Sequence, residues 1–109
     1  MPSDREREIR LFDYYGDLLT AHQKEILQEY YYEDLSMNEI AENYSISKSA
    51  VQDLIRRSVS QLDDYDQKLD LIKRDEILNE ILVEMKKENN DLLDRFVARI
   101  EKNNRGETL

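Results

Sequence analysis

The chain contains no cysteine, one histidine, one proline and two glycines among its 109 residues. The lack of cysteine excludes disulfides, thiol catalysis and thiolate zinc sites. Tight sheet turns and phosphate-binding loops need glycine, so two glycines argue against all-β folds and exclude glycine-rich nucleotide loops. A single histidine, His22, cannot form a histidine-based metal cluster. We expect His22 at the surface. We therefore expect no metal, no cofactor and no enzymatic activity.

Long apolar runs are also missing, and acidic residues outnumber basic ones by 25 to 16, which gives a net charge of -9. The longest apolar runs have three residues, as at 81–83. A membrane span needs about twenty, so we expect no membrane insertion. The charged N-terminus is not followed by an apolar stretch and does not resemble a secretory signal. These features predict a soluble, cytoplasmic, helical protein.

Polar helix-start signals precede each stretch in which apolar residues recur at helical spacing. They are the capping boxes of Ser3 with Glu6, Thr20 with Gln23, and Ser36 with Glu39, followed by Ser47 as a further N-cap. The first helix should end near 16–19, and the pattern predicts further helices over 20–32 and 37–44 and from 48 onward. The joint at 45–47 is so short that the helices flanking it must cross steeply, as in a helix-turn-helix.

The sequence therefore predicts an all-α fold in a single domain over 1–109. Its parts are an N-terminal helix (1–19), a helix-turn-helix core with a long last helix (20–72) and a helical C-terminal extension (73–109). A small residue is needed where the two steeply crossing helices touch, which suits Ala41. The expected core consists of Leu19, Ile26, Leu27, Tyr30, Leu35, Ile40, Ala41, Ile46, Val51, Leu54 and Ile55.

The extension carries an apolar stripe that it cannot bury alone, since it has only about 30 residues. We expect a break within 73–76, a second helix break capped by Asn90 rather than one helix with Asn89 on its seam, and a frayed end from Lys102. The stripe must pack on its own chain, for example on the N-terminal helix, or form a homodimer through the long helix and the extension. Its members are Ile77, Leu78, Ile81, Leu82, Met85, Leu92, Leu93, Phe96, Val97 and Ile100.

In a helix-turn-helix, the start of the second helix meets base edges in DNA. Lys48 and Gln52 suit guanine and adenine edges, while Arg56 and Arg57 lie where phosphate contact is plausible. Alternatively, the two arginines only pair with Asp53 or Asp63 at helical spacing. The overall acidity opposes strong DNA binding, which relies on basic residues. The candidate nucleic-acid-binding residues are Ser47, Lys48, Ser49, Gln52, Arg56 and Arg57.

The segments LSMNEIA (35–41) and ISKSAV (46–51) resemble the helix-turn-helix of region 4 of bacterial sigma factors. The wider context is similar to the YlxM family of small bacterial helix-turn-helix proteins, over roughly 8–72. It comprises Leu18-Leu19-Thr20, Gln23, Tyr30-Tyr31, Asp34-Leu35-Ser36, Arg56-Arg57, Asp64-Tyr65 and Lys68-Leu69.

The resemblance implies a non-enzymatic, all-α regulatory protein of the winged-helix-like DNA-binding superfamily, linked to the signal recognition particle pathway. Its implied partners are signal recognition particle components, either protein or RNA. The alternative is a transcriptional regulator whose partner is DNA. One departure is Ser45, where sigma-type motifs carry glycine. A left-handed backbone costs serine more than glycine, so we expect a slightly remodelled turn.

Overall fold

The computed structural model describes residues 4–88 and 90–106, and its regular structure is entirely helical. The all-α fold class is confirmed. The chain forms two compact units, one up to Ile72 and one from Lys73 onward, and the single domain over 1–109 stays a prediction. The helices are α1 (Asp4–Tyr15), α2 (Ala21–Tyr31), α3 (Met37–Tyr44), α4 (Lys48–Leu69), α5 (Leu71–Lys86) and α6 (Asp91–Asn104), with a 3-10 turn over Gly16–Leu18.

Side-chain caps begin α2, α3 and α4 as the sequence predicts. The boxes of Thr20 with Gln23 and of Ser36 with Glu39 are both complete. The Ser47 hydroxyl accepts the backbone N–H of Ala50 at 3.0 Å. These bonds satisfy amide donors that have no partner within the helix, and they confirm three helix starts. The box predicted at Ser3 lies outside the described residues.

The core of the first unit forms around α4, against which α1, α2 and α3 all pack. Most of the expected core is buried, while Tyr30, Leu35 and Leu54 are half-buried at its edge. Ile46 was expected inside but is exposed, because it lies in the turn after α3 and not on a helical face. The core also contains residues beyond the expected list: Leu11, Phe12, Tyr15, Tyr31 and Leu62. Hence α4 covers the apolar face of α1.

The long helix ends at Leu69, earlier than the break predicted within 73–76. Asp70 adopts a left-handed backbone (φ 57°), which aspartate tolerates better than most residues, and its N–H still bonds to the Asp66 carbonyl at 2.8 Å. The Tyr15 hydroxyl donates to the Asp66 carboxylate at 2.7 Å and accepts the N–H of Leu71 at 3.1 Å. A side chain from α1 thus fixes the boundary between α4 and α5.

The second unit contains most of α5 and all of α6. Its predicted helix break is confirmed, since the Asn90 side chain accepts the N–H groups of Leu92 and Leu93. The Lys86 ammonium lies 2.9 Å from the Glu101 carboxylate, which joins the two helices. α6 continues to Asn104, so the expectation of fraying from Lys102 is wrong for 102–104. The predicted stripe is only partly covered, as Leu82 is buried and Phe96 is not.

Replacing Tyr15 by phenylalanine should lower the free energy of unfolding by about 1–3 kcal/mol, because Asp66 loses a donor and Leu71 an acceptor. Urea unfolding followed by circular dichroism measures this. The control is Tyr65→Phe, which also removes one tyrosine hydroxyl. The Tyr65 ring centroid lies 6.3 Å from that of Tyr15. This control should cost less than about 0.5 kcal/mol. Equal losses in the two variants would contradict the proposed role of the Tyr15 hydroxyl.

The same variant should change the alkaline limb of the stability curve. Burial, followed by the hydrogen bond to Asp66, raises the pKa of Tyr15 above its ordinary 10.0. The folded state therefore favours the neutral phenol, whose contribution is complete below pH 10 and is lost as the pH rises. The urea midpoint should fall above pH 10, and it should fall less in Tyr15→Phe than in the wild type.

Candidate nucleic-acid interface

The turn between α3 and α4 is closed by backbone hydrogen bonds around Ser45, which has a left-handed backbone (φ 55°, ψ 42°). The N–H of Ser45 bonds to the Glu42 carbonyl at 3.3 Å, and that of Ile46 bonds to the Ala41 carbonyl at 3.0 Å. This is the bonding pattern of a Schellman motif. Serine therefore occupies the backbone region that glycine favours, and the expected remodelling of the turn is not observed.

Tyr44 anchors the end of α3 to α2. Burial and a hydrogen bond to the Glu29 carboxylate raise the pKa of Tyr44 to about 12, because both favour the neutral hydroxyl. The rings of His22 and Tyr44 pack edge to face, with ring centroids 5.5 Å apart. His22 is exposed, as expected. These contacts hold the first helix of the motif in place.

A partly buried polar contact attaches the start of α2 to the middle of α4. The Gln23 amide donates to the hydroxyl of Ser58 at 3.1 Å and to the side-chain oxygen of Gln61 at 3.2 Å. Ser58 is fully buried, and Gln23 also completes the capping box of α2. Gln23 therefore links the cap of α2 to the buried side of α4.

The buried side of α4 leaves its opposite side at the surface. Val51, Ile55 and Leu62 are buried, whereas the predicted base-reading and phosphate-contacting residues are exposed. Their predicted exposure is confirmed. The exposed candidates are Lys48, Ser49, Gln52, Arg56 and Arg57, together with Ser47, whose hydroxyl serves as the N-cap.

Asp53 lies at the centre of this exposed side and binds both arginines. Its carboxylate is 2.5 Å from an Arg56 nitrogen and 2.9 Å from Arg57 Nε. Arg56 and Arg57 therefore pair with Asp53 at helical spacing, as the alternative reading of the sequence expects. Asp63 pairs with Arg7 of α1 instead. The i+3 and i+4 spacing of Arg56 and Arg57 from Asp53 is the sequence signal for this shared carboxylate. Both arginine side chains remain 74% exposed, so an anion can reach them.

The electrostatic surroundings of this side are mixed. Residues 46–62 have a net charge of +2, from Lys48, Arg56 and Arg57 against Asp53. α3 contributes Glu39 and Glu42 and no basic residue. The interface therefore offers few cations to a polyanion.

Neither a metal-binding cluster nor a membrane-spanning helix is found in the part of the chain that the structure describes. Within 4–88 and 90–106, no three histidine, aspartate or glutamate residues are grouped to hold a metal ion. None of the helices in those ranges is long and apolar enough to cross a membrane.

The capped α3, the left-handed turn and the exposed start of α4 define a helix-turn-helix protein. The family model described as "Putative helix-turn-helix protein, YlxM / p13 like" matches residues 3–102, and the chain belongs to this family. The family is not described as an enzyme family.

Relatives from several bacteria are similar over most of their length. A UPF0122 protein of Shouchella clausii is 44% identical over 71% of this chain and 71% of its own. One from Malacoplasma penetrans is 40% identical over 80% and 79%. One from Staphylococcus epidermidis is 40% identical over 84% of each chain. The matched lengths therefore extend well beyond the helix-turn-helix motif.

Replacing Asp53 by asparagine should release both guanidinium groups and remove a negative charge from the exposed side of α4. We expect Asp53→Asn to elute from heparin at a higher salt concentration than the wild type, because polyanion binding depends on available cations. The control is Asp64→Asn, which makes the same charge change at an exposed site further along α4. If both variants shift equally, net charge alone explains the effect and the local role of Asp53 is refuted.

Proposed function

We propose that this protein is a cytoplasmic regulator that binds double-stranded DNA through the N-terminal half of α4. The observation that carries the proposal is the exposed row of Lys48, Gln52 and Arg56 on the helix after the turn. A second helix presented in this way fits the major groove with its first residues against base edges.

The side chains on this row suit different parts of a DNA site. Lys48 donates to guanine O6 and N7, and the Gln52 amide matches the paired donor and acceptor of adenine. Ser49 lies in the same first turn and suits either base type. Arg56 and Arg57 bind phosphates when these displace the Asp53 carboxylate. Sequence preference is therefore assigned to Lys48, Ser49 and Gln52, and affinity without sequence preference to the two arginines.

Three cations set an upper limit on the electrostatic part of binding. Each neutralised phosphate contributes about -0.9 to the slope of log affinity against log salt, so one copy gives at most about -3. The net charge of -9 acts against even this. We therefore propose that non-specific DNA binding is weak. Contacts to the bases supply most of the discrimination between DNA sequences.

A second candidate is regulation within the signal recognition particle pathway, through a protein or RNA component of the particle. The overall acidity and the pairing of both arginines with Asp53 favour a protein component, because binding to an RNA component would also rely on phosphate contacts. The link to this pathway rests on the family resemblance. The candidate predicts binding to a purified particle component under conditions in which duplex DNA does not bind.

The test starts by selecting bound duplexes from a random pool with the full-length protein. Affinity for the selected duplex is then measured over a range of salt concentrations. Arg56→Ala/Arg57→Ala should flatten the slope by about 2 and weaken all duplexes alike, since two phosphate contacts are lost. Lys48→Ala should instead weaken the selected duplex roughly tenfold or more relative to a scrambled one.

The matched control is Lys68→Ala/Lys73→Ala, which removes two positive charges from exposed sites near the junction of α4 and α5. It should leave the slope unchanged. An unaltered slope in the arginine variant, with binding intact, would place the contact elsewhere. No enrichment from the pool, together with binding to the particle's RNA or protein, would favour the second candidate.

A further inference from the structure

Several large apolar side chains on α5 and α6 remain exposed in the folded chain, Val83 at 54% among them. Ile77, Ile81, Leu92 and Phe96 retain between 46% and 59% of their accessible surface, whereas Leu82 and Val97 retain 4% and 1%. Single exposed apolar residues are normal at protein surfaces, but these form two pairs at i, i+4 spacing, one on each helix. Each helix therefore has an apolar strip beyond the residues that its own chain buries.

Charged residues accompany both strips at the same spacing. On α5 the segment ILNEILVE (77–84) places Glu80 and Glu84 three residues after each isoleucine. On α6 the segment LLDRFVAR (92–99) places Arg95 and Arg99 three residues after Leu92 and Phe96. All four charged residues are exposed. Residues three apart are neighbours on a helix surface, so an acidic row borders one strip and a basic row borders the other.

We propose that a second copy of this chain covers these strips, with α5 of each copy packed against α6 of its partner. The apolar pairs match in size and spacing, and the bordering rows have opposite charge. Because both strips belong to one chain, a two-fold rotation satisfies both contacts at once, as an isologous interface requires. A dimer of this kind presents two copies of α4, although its formation does not depend on DNA binding.

Charge reversal tests the pairing directly. Glu80→Arg/Glu84→Arg makes both rows basic, and Arg95→Glu/Arg99→Glu makes both acidic, so each variant alone opposes like charges at both contacts. Mixed together, the two variants restore opposite charges at both contacts. We expect dimer mass for the wild type, a dissociation constant at least about tenfold higher for each variant alone, and recovery of dimer mass in the mixture. The measurement is sedimentation equilibrium of the full-length chain without nucleic acid.

Two further variants separate association from folding. Phe96→Asp should give a monomer with wild-type helical circular dichroism, because Phe96 is half-exposed within its own chain. Leu18→Asp alters an equally exposed apolar residue in the first unit and should leave the dimer unchanged. A monomeric wild type over the accessible concentration range would overturn the proposal. So would a mixture of the charge-reversed variants that stays monomeric, or an unchanged mass for Phe96→Asp.

Discussion

Burial of one side of α4 is the constraint on which the rest of the first unit depends. α1, α2 and α3 all pack against this helix, and they cover Val51, Ile55, Ser58 and Leu62. Once that side is fixed in the core, the opposite side must face solvent. The packing that stabilises the unit therefore also determines which residues are available to a partner.

Polar contacts refine the placement that the apolar core sets. Gln23 bonds to the buried Ser58, Tyr44 attaches the end of α3 to α2, and Tyr15 closes the far end of α4. Each of these groups would cost free energy if it were buried without its partner. They restrict how α4 can rotate and where it ends, so the exposed row of side chains is held in one orientation.

Local features of the fold could be predicted from the sequence, whereas features that depend on distant contacts could not. The caps at Thr20, Ser36 and Ser47 use bonds within three residues, which sequence spacing specifies. The end of α4 at Asp70 was missed, because it depends on a hydroxyl of Tyr15, 56 residues before Leu71. Exposure of the α4 surface followed from helical periodicity. The sequence could not show which of two aspartates binds the arginines. That choice depends on Arg7 of α1, which pairs with Asp63 across the fold.

The central claim, that the start of α4 reads DNA, is tested most directly by mapping contacts residue by residue. Backbone amide shifts of the labelled full-length protein would be followed by nuclear magnetic resonance during titration with a selected duplex. The largest shifts should cluster at 47–57, with smaller changes at 37–44. Largest shifts within α5 and α6, with 47–57 unaffected, would contradict it.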